Sequence, residues 1–416
     1  MADAASDRVR DVITWAEGGV MKRVRWQSES GLPAPARVEI ADDTIDTGTA
    51  LRKASEGTAL LWRGDFNNAR QLLAAMTRRI DARYVRHEEK SKAAAPRGRE
   101  HDPESAGSAI EPAAFHRYRM HQAQRARTLG MLLLPFEQGH RIPLRRAPVV
   151  ADACNEAWGR ADEPYVTSLR ELQGAIGAYE WRKKGVEVSA LGDRVHPHYG
   201  VFAPIRSEYV GLVARAPLSE PLPKTAFDIG TGTGVLAALL ARRGIARVIA
   251  TDVDPRALAS ARDNIDRLEL TESIAVEEVD LFPAGRADLI VCNPPWLPGK
   301  ATSPLERSIY DAESRMLRGF LMGARAHLEP DGEAWLLLSD LAEHLGLRTR
   351  QTLLQWFDDA SLVIVDRIDT RPSHSRAADQ TDPLHAARSR EVTSLWRLKA
   401  ADAEATAVDA GATASR

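Results

Sequence analysis

The chain has 416 residues, of which 44% are hydrophobic and 27% charged, and its formal net charge is -2. That profile fits a folded protein of two or three domains and excludes a chain that is polycationic throughout, while leaving room for a local basic face. There is no run of about 18 apolar residues for a membrane-spanning helix, the start lacks the basic and apolar stretches of a signal peptide, and two cysteines, Cys154 and Cys292, exclude a disulfide framework or a cysteine-rich zinc site; a cytoplasmic protein without metal is expected.

Residues 1–89 read as a mostly helical N-terminal region. Val38-Glu39-Ile40 fits a short strand, and a helical pattern runs from about Ala50 to Tyr84 with Leu60, Leu61, Phe66, Leu72, Leu73 and Met76 as candidate core positions. Residues 90–112 are rich in Ala, Pro, Gly, Ser and charge, which cannot build a core, so a linker or exposed loop is expected. Residues 113–195 read as a second helical region that recognises the substrate. It carries basic stretches at Arg117, Arg119, Arg125 and Arg127, at Arg145-Arg146 and at Arg182-Lys183-Lys184. These fit solvated helix faces or a surface for RNA or an acidic partner.

From 196 to 400 strands and helices alternate. Thr225–Ile229, Arg247–Thr251, Ile274–Val279, Ala287–Cys292 and Glu333–Leu338 are predicted strands. Val235–Arg243, about Pro255–Leu268 and Ser314–His327 are predicted helices. Such alternation implies an α/β fold, a parallel sheet covered on both faces. Leu362–Thr370 and Glu391–Lys399 read as two further strands with no clear helix between them, which fits a C-terminal antiparallel pair. Residues 401–416 read as a disordered tail.

Asp228-Ile229-Gly230-Thr231-Gly232-Thr233-Gly234 lies between a predicted strand and a helix. Glycines at Gly230, Gly232 and Gly234 let the backbone turn sharply and let a ligand approach it. Asp252 ends the next strand, 18 residues past Gly234, where a carboxylate accepts both ribose hydroxyls; Asp254 is better placed as the following helix cap. The G-x-G-x-G spacing behind Asp228 suits a ligand with a cationic amino group better than a pyrophosphate. Asp280, after the third strand, reads as an adenine contact or a strand-end cap.

Asn293-Pro294-Pro295-Trp296 follows the apolar strand Leu289-Ile290-Val291-Cys292. Two prolines cannot continue a central strand, so they force a rigid turn at its carboxyl end, where ligands bind in such folds. The Asn293 side-chain oxygen and the Pro294 carbonyl then accept both hydrogens of a planar nitrogen, and Trp296 offers a flat face for stacking. No metal or covalent nucleophile is needed, since catalysis is mostly positioning. Cys292 reads as a buried strand residue.

On these motifs, the stretch from Val201 to Lys399 resembles the class I S-adenosylmethionine-dependent methyltransferases. Within them it is similar to the Asn-Pro-Pro-aromatic branch, which methylates planar nitrogens: a glutamine of peptide-chain release factors, guanine N2 in ribosomal RNA, or adenine N6. The resemblance implies a Rossmann-like seven-stranded sheet and S-adenosyl-L-methionine as cofactor. It makes Asp228, Gly230, Gly232, Gly234, Asp252, Asp280 and Asn293 cofactor contacts, and Asn293, Pro294, Pro295 and Trp296 the catalytic acceptor motif. Pro204, Arg206 and Glu208, in Val201 to Glu208, match a Pro-Arg-Pro-Glu-Thr-Glu stretch of the glutamine enzymes, while Ile205 departs from it. The implied activity is N-methyl transfer to a macromolecule, leaning to a glutamine of a translation factor, with RNA methylation and nucleic-acid binding as the alternative. A small-molecule N-methyltransferase and a non-catalytic binding module also stay open. So do His196 and His198 at the cofactor entrance, and a polar loop at 371–390 carrying His374, Arg376, His385 and Arg388 beside the substrate.

Overall fold

The computed structural model describes residues 12–94, 112–205, 207–301, 305–372 and 382–401. The expected linker therefore falls mainly outside the described residues, although its first five, 90–94, continue a helix; the expected tail beyond Ala401 also falls outside them. The chain clusters into two compact units, Met1–Gly107 with His116–Glu180, and Ser108–Phe115 with Trp181–Arg416.

The first unit holds a six-stranded sheet. Its strands are β1 Val12–Glu17, β2 Val20–Trp26, β3 Arg37–Ala41, β4 Thr58–Trp62, β5 Leu132–Phe136 and β6 Tyr165–Ser168, and they stand in the order β1-β2-β6-β5-β4-β3. Gly18 and Gly19, at φ 60° and 75°, form the two-residue turn between β1 and β2. The helices are α1 Thr47–Ser55, α2 Phe66–Ala94, α3 Pro112–Leu129, α4 Ala151–Trp158 and α5 Leu169–Lys184. Asp46 starts α1 by accepting the Gly48 and Thr49 amides at 2.8 and 3.1 Å.

The sheet is a correction to the mostly helical region expected here. The single helical pattern from Ala50 to Tyr84 is two helices with β4 between them. Thr58 to Trp62 are all buried, and a short, continuously apolar run has no period that separates strand from helix. Leu60 packs with Leu51, Phe66 and Leu73 on one face of the sheet, whereas Leu61 packs with Ile13 and Trp15 on the other, the alternation of a strand.

The second unit opens with an antiparallel pair, β7 Val186–Val188 and β8 Asp193–Val195. Its main sheet has seven strands, β9 Thr225–Ile229, β10 Arg247–Asp252, β11 Ile274–Glu278, β12 Ala287–Cys292, β15 Leu328–Ser339, β16 Leu362–Thr370 and β17 Thr393–Ala400. They stand in the order β11-β10-β9-β12-β15-β17-β16. All pairings are parallel except those of β17 with β15 and β16. The Rossmann-like sheet and its terminal antiparallel pair are as the sequence predicts. A small parallel pair, β13 Leu297–Pro298 and β14 Tyr310–Asp311, lies outside the sheet. On one face α6 Glu208–Arg215, α7 Val235–Arg242 and α8 Pro255–Arg267 bury Val210, Leu236, Leu240 and Ile265 against Val291 and Leu337. On the other, α9 Arg315–His327 and α11 Arg350–Asp359 bury Phe320, Leu321 and Phe357 against Ile290 and Leu336. The short helices α10 Leu341–His344 and α12 His385–Arg388 complete the unit.

A buried ion pair fastens β17 to β15. Arg397, opposite Trp335, donates to both Glu333 oxygens at 2.9 Å, and the Trp335 indole donates to the same carboxylate at 2.8 Å. Glu333→Ala leaves the buried guanidinium with only its 3.5 Å contact to Asp366, so urea unfolding of this variant is expected to show a loss of about 3 kcal/mol, the low end for a broken buried pair. A loss below about 1 kcal/mol, the size of a solvent-exposed pair, contradicts that reading.

Candidate active site at the carboxyl ends of the central strands

The site is built where β9 and β12 end side by side. Ile229 and Cys292 are register partners, so the next residues, Gly230 and Asn293, leave the sheet at the same level. After Ile229 the chain turns through Gly230, Gly232 and Gly234, at φ 71°, 57° and 80°, a region that side chains disfavour. Gly234 is also tight: a Cβ there would lie 3.3 Å from the Ala261 Cα of α8. At Gly232 a Cβ would meet no atom within 4 Å, so this stretch of backbone is open to a ligand.

Two carboxylates hold the turn. Asp252, at the end of β10, accepts the Gly232 amide at 3.1 Å and the Asp254 amide at 3.0 Å, while Asp254 caps α8 through the Arg256 amide, as the sequence predicts. Asp228 lies beneath the turn, 1% exposed. It accepts the Thr231 hydroxyl at 2.6 Å and the Ala237 amide of α7 at 3.0 Å, so it braces the turn from below. Burial pushes the Asp228 carboxyl up to about 6 and raises Asp252 as well. Burial raises the Tyr209 hydroxyl of α6, and the charges of Asp228 and Glu208 raise it further; Arg206 lies outside the described residues. Asp280 follows β11 on the surface, in an ion pair of 2.6 Å with Arg315.

The Asn293 to Trp296 turn has a feature that its residue types do not announce. The Trp296 indole N–H donates to the Asn293 Oδ1 at 2.9 Å. Trp296 is half-buried and packs against the apolar cores on both faces of the sheet, so it fixes the Asn293 carboxamide to the framework. A carbonyl oxygen accepts two hydrogen bonds, which leaves one direction of Asn293 Oδ1 for a ligand. Beyond Trp296, β13 pairs with β14 and places Asp311, which accepts the Met316 and Leu317 amides at 3.1 Å each and so starts α9. Glu313 and Ser314, at φ 56° and 54°, turn the chain between Asp311 and α9, so the cap lacks the usual spacing and no sequence signal marks it. Met316 then reaches the glycine turn: a Cβ on Gly230 would lie 2.4 Å from its Cε, so the methionine end would have to move, and the φ of 71° already favours glycine there.

The other candidates that are described have partners within the fold. His196 Nδ1 donates to the Arg182 carbonyl at 2.6 Å, and His198 Nε2 lies 3.2 Å from Asp263 of α8. Asn264 of α8, which carries no motif of its own, accepts the His196 amide at 2.7 Å and donates to the Thr233 carbonyl at 3.1 Å, joining that segment to the glycine turn. Cys292 is fully buried and its thiol is raised well above the ordinary range by burial, as expected of a packed strand residue rather than a nucleophile. In the loop at 371–390, His374 and Arg376 lie outside the described residues, and Arg388 pairs with Asp382 at 2.9 Å. Among the described residues no cluster of three His, Cys, Asp or Glu is placed to hold a metal, and no helix is long and apolar enough to cross a membrane.

Residues 194–366 match the family model of the methyltransferase small domain. The chain is 37% identical over 145 residues to the release factor glutamine methyltransferase of Cereibacter sphaeroides, covering 32% of this chain and 51% of that protein. It is 32% identical over 173 residues to the tRNA1(Val) (adenine(37)-N6)-methyltransferase of Shewanella amazonensis, covering 37% of this chain and 71% of that protein. Among solved structures it is similar to a methyltransferase from Pyrococcus furiosus, with TM-score 0.36 and 20% identity over 54% of this chain and 98% of the other. The chain thus spans about half the length of the release factor relative, and its first 193 residues lie outside the family match. From the match over the second unit and the relative covered for most of its length, the chain belongs to the class I S-adenosylmethionine-dependent methyltransferases, in the methyltransferase small domain family.

Proposed function

We propose that this chain transfers the methyl group of S-adenosylmethionine to a planar nitrogen of a component of translation. The observation that carries the reading is the level exit of Gly230 and Asn293 from neighbouring strands, which sets a cofactor turn directly beside an acceptor turn. The residues present fit the cofactor. Gly232 offers open backbone, and Asp252, half-exposed at the end of β10, offers a carboxylate to ribose hydroxyls. Asp280, which follows β11 next to β10, would contact the adenine by exchanging its Arg315 partner for the base at little cost, since the pair is exposed. When bound, the cofactor supplies an electrophilic methyl group on a sulfonium.

The chain's own residues then supply position. Asn293 Oδ1 and the Pro294 carbonyl accept the two N–H bonds of the acceptor, and Trp296 stacks on its plane. The nitrogen lone pair is thereby aimed at the methyl carbon, and little else is required of the protein. Two acceptors share this chemistry. A glutamine amide is supported by the 37% identical release factor enzyme and by the sequence match of Pro204, Arg206 and Glu208 to a stretch of the glutamine enzymes. An RNA exocyclic amine is supported by the tRNA adenine-N6 relatives.

Asn293→Ala is expected to keep S-adenosylmethionine affinity within about tenfold in calorimetry, the worth of one hydrogen bond, and to lose about 100-fold or more in turnover, the usual cost of a positioned polar contact in the transition state. Trp296→Phe keeps a flat face but loses the indole donor, and about a tenfold fall in kcat is expected, near the worth of one hydrogen bond. Full activity in both variants contradicts the acceptor site.

The raised carboxylates also give a pH dependence. A cationic ligand favours the ionised forms of Asp228 and Asp252, so binding expels protons wherever these groups are protonated in the free protein. Affinity for S-adenosylmethionine is expected to be full above pH 7 and to fall as pH drops through about 6. Calorimetry in buffers of different ionisation enthalpy reads the released proton; flat affinity from about pH 5 to 7 sinks this coupling.

A further inference from the structure

The basic stretches that stand out in the sequence are largely spent in the structure. Arg145 and Arg146 both bond to Asp65, Arg182 bonds to Asp263, and Arg125 to Asp81. A different set is unspent. In the first unit a groove of about 500 Å³ is lined by Thr47 at the start of α1 and by Ala75, Arg78, Arg79, Ala82, Arg83 and Arg86 of α2. At 3.6 residues per turn these α2 positions fall within an arc of about 140°, and Arg78 to Arg86 spans roughly 12 Å of helix axis at 1.5 Å per residue. Ala75 and Ala82 keep the floor low between walls of guanidinium groups.

All four arginines are exposed. Among the described residues none of them forms an ion pair, and the one hydrogen bond their side chains make there is from Arg86 Nε to the Ala82 carbonyl at 3.1 Å. Asp46 is the acid whose charge Arg79 feels, and it is committed to the Gly48 and Thr49 amides. Four like charges on two and a half turns of one helix repel each other, and no described carboxylate of the unit pairs with them.

We propose that this groove binds the phosphate backbone of RNA. Guanidinium forks match phosphate oxygens in pairs, and a row of arginines along the helix meets a row of single charges. The lining is alanine, threonine and arginine alkyl chain, without the aromatic or aliphatic anchor that a folded protein partner would seat, so a polyanion fits better than an acidic protein. The proposal deepens the methyl-transfer reading by naming RNA as the substrate class, and it rests on that reading for its place in the reaction.

The experiment uses the full chain and unfractionated tRNA with a fluorescent 3′ end, titrated without S-adenosylmethionine from low to physiological salt. Two quadruple variants at positions 78, 79, 83 and 86 are compared with wild type, one with every arginine changed to glutamine and one to lysine. Glutamine is a good helix former, so α2 is expected to persist, and S-adenosylmethionine affinity reports an intact second unit. The expected result is a glutamine variant about tenfold or more weaker for tRNA at low salt, with a log–log salt slope shallower by roughly 3, from ~0.7–0.9 for each phosphate left without its arginine. The lysine variant is expected to keep the wild-type slope. Equal tRNA affinity in the glutamine variant and wild type overturns the proposal, and so does poly-glutamate competing as strongly as tRNA, which assigns the groove to acidic protein. Binding is read without methyl transfer, so tRNA binding that depends on the groove but yields no methylated RNA upholds the groove as an RNA-binding surface and overturns RNA as the methyl acceptor, while methyl transfer to a glutamine amide is judged separately.

Discussion

The second unit depends on one constraint: β9 and β12 pair in parallel with Ile229 level with Cys292, and neither strand can continue past that level. On β9 the chain enters the left-handed region at Gly230. On β12 it meets Pro294 and Pro295, which have no amide hydrogen to give a ladder. Both chains must leave the sheet together, and the crevice at the carboxyl ends of parallel strands is where such folds bind ligands. The side-by-side exits make one site out of two short turns.

The surrounding structure holds those exits rigid. Asp228 ties the glycine turn to the start of α7 from below, and Asp252 ties it to the end of β10. Asn264 ties it to the segment before α6. Met316, placed by the Asp311 cap, closes over Gly230, and Trp296 anchors Asn293 to the packed core. Methyl transfer asks for geometry more than for acid, base or metal, so rigid support of two backbone turns is a sufficient division of labour. The first unit has its own sheet, and α2 carries four exposed arginines that form no ion pair among the described residues, the basis of the proposed polyanion surface.

Much of the second unit was legible in the sequence. Strands such as Thr225–Ile229 and Ala287–Cys292 are apolar runs bounded by Gly, Pro or Asp, and these breakers define their ends. The glycine and Asn-Pro-Pro turns are legible for the same reason, since each residue type does something no other does. The first unit was not, because Thr58 to Trp62 and Leu132 to Phe136 are buried on both sides and have no alternation to read. Long-range partners were also hidden. The Asn293–Trp296 bond depends on side-chain direction, the inward turn of Asp228 on packing, and the Asp311 cap on two residues at positive φ. The arginine groove was hidden because its members fall inside an ordinary helical pattern, and only the pairing of the other basic stretches sets them apart.

The measurement that tests the central claim most directly is the position of the transferred methyl group. The full chain would be incubated with tritium-labelled S-adenosylmethionine and a cell lysate freed of small molecules, and the labelled macromolecules digested completely to amino acids and nucleosides. The account predicts tritium on a planar nitrogen, in a methylated glutamine amide or a methylated base amine, with both signals absent from the Asn293→Ala variant. Tritium on oxygen, sulfur or carbon, or macromolecules that carry none, would contradict it.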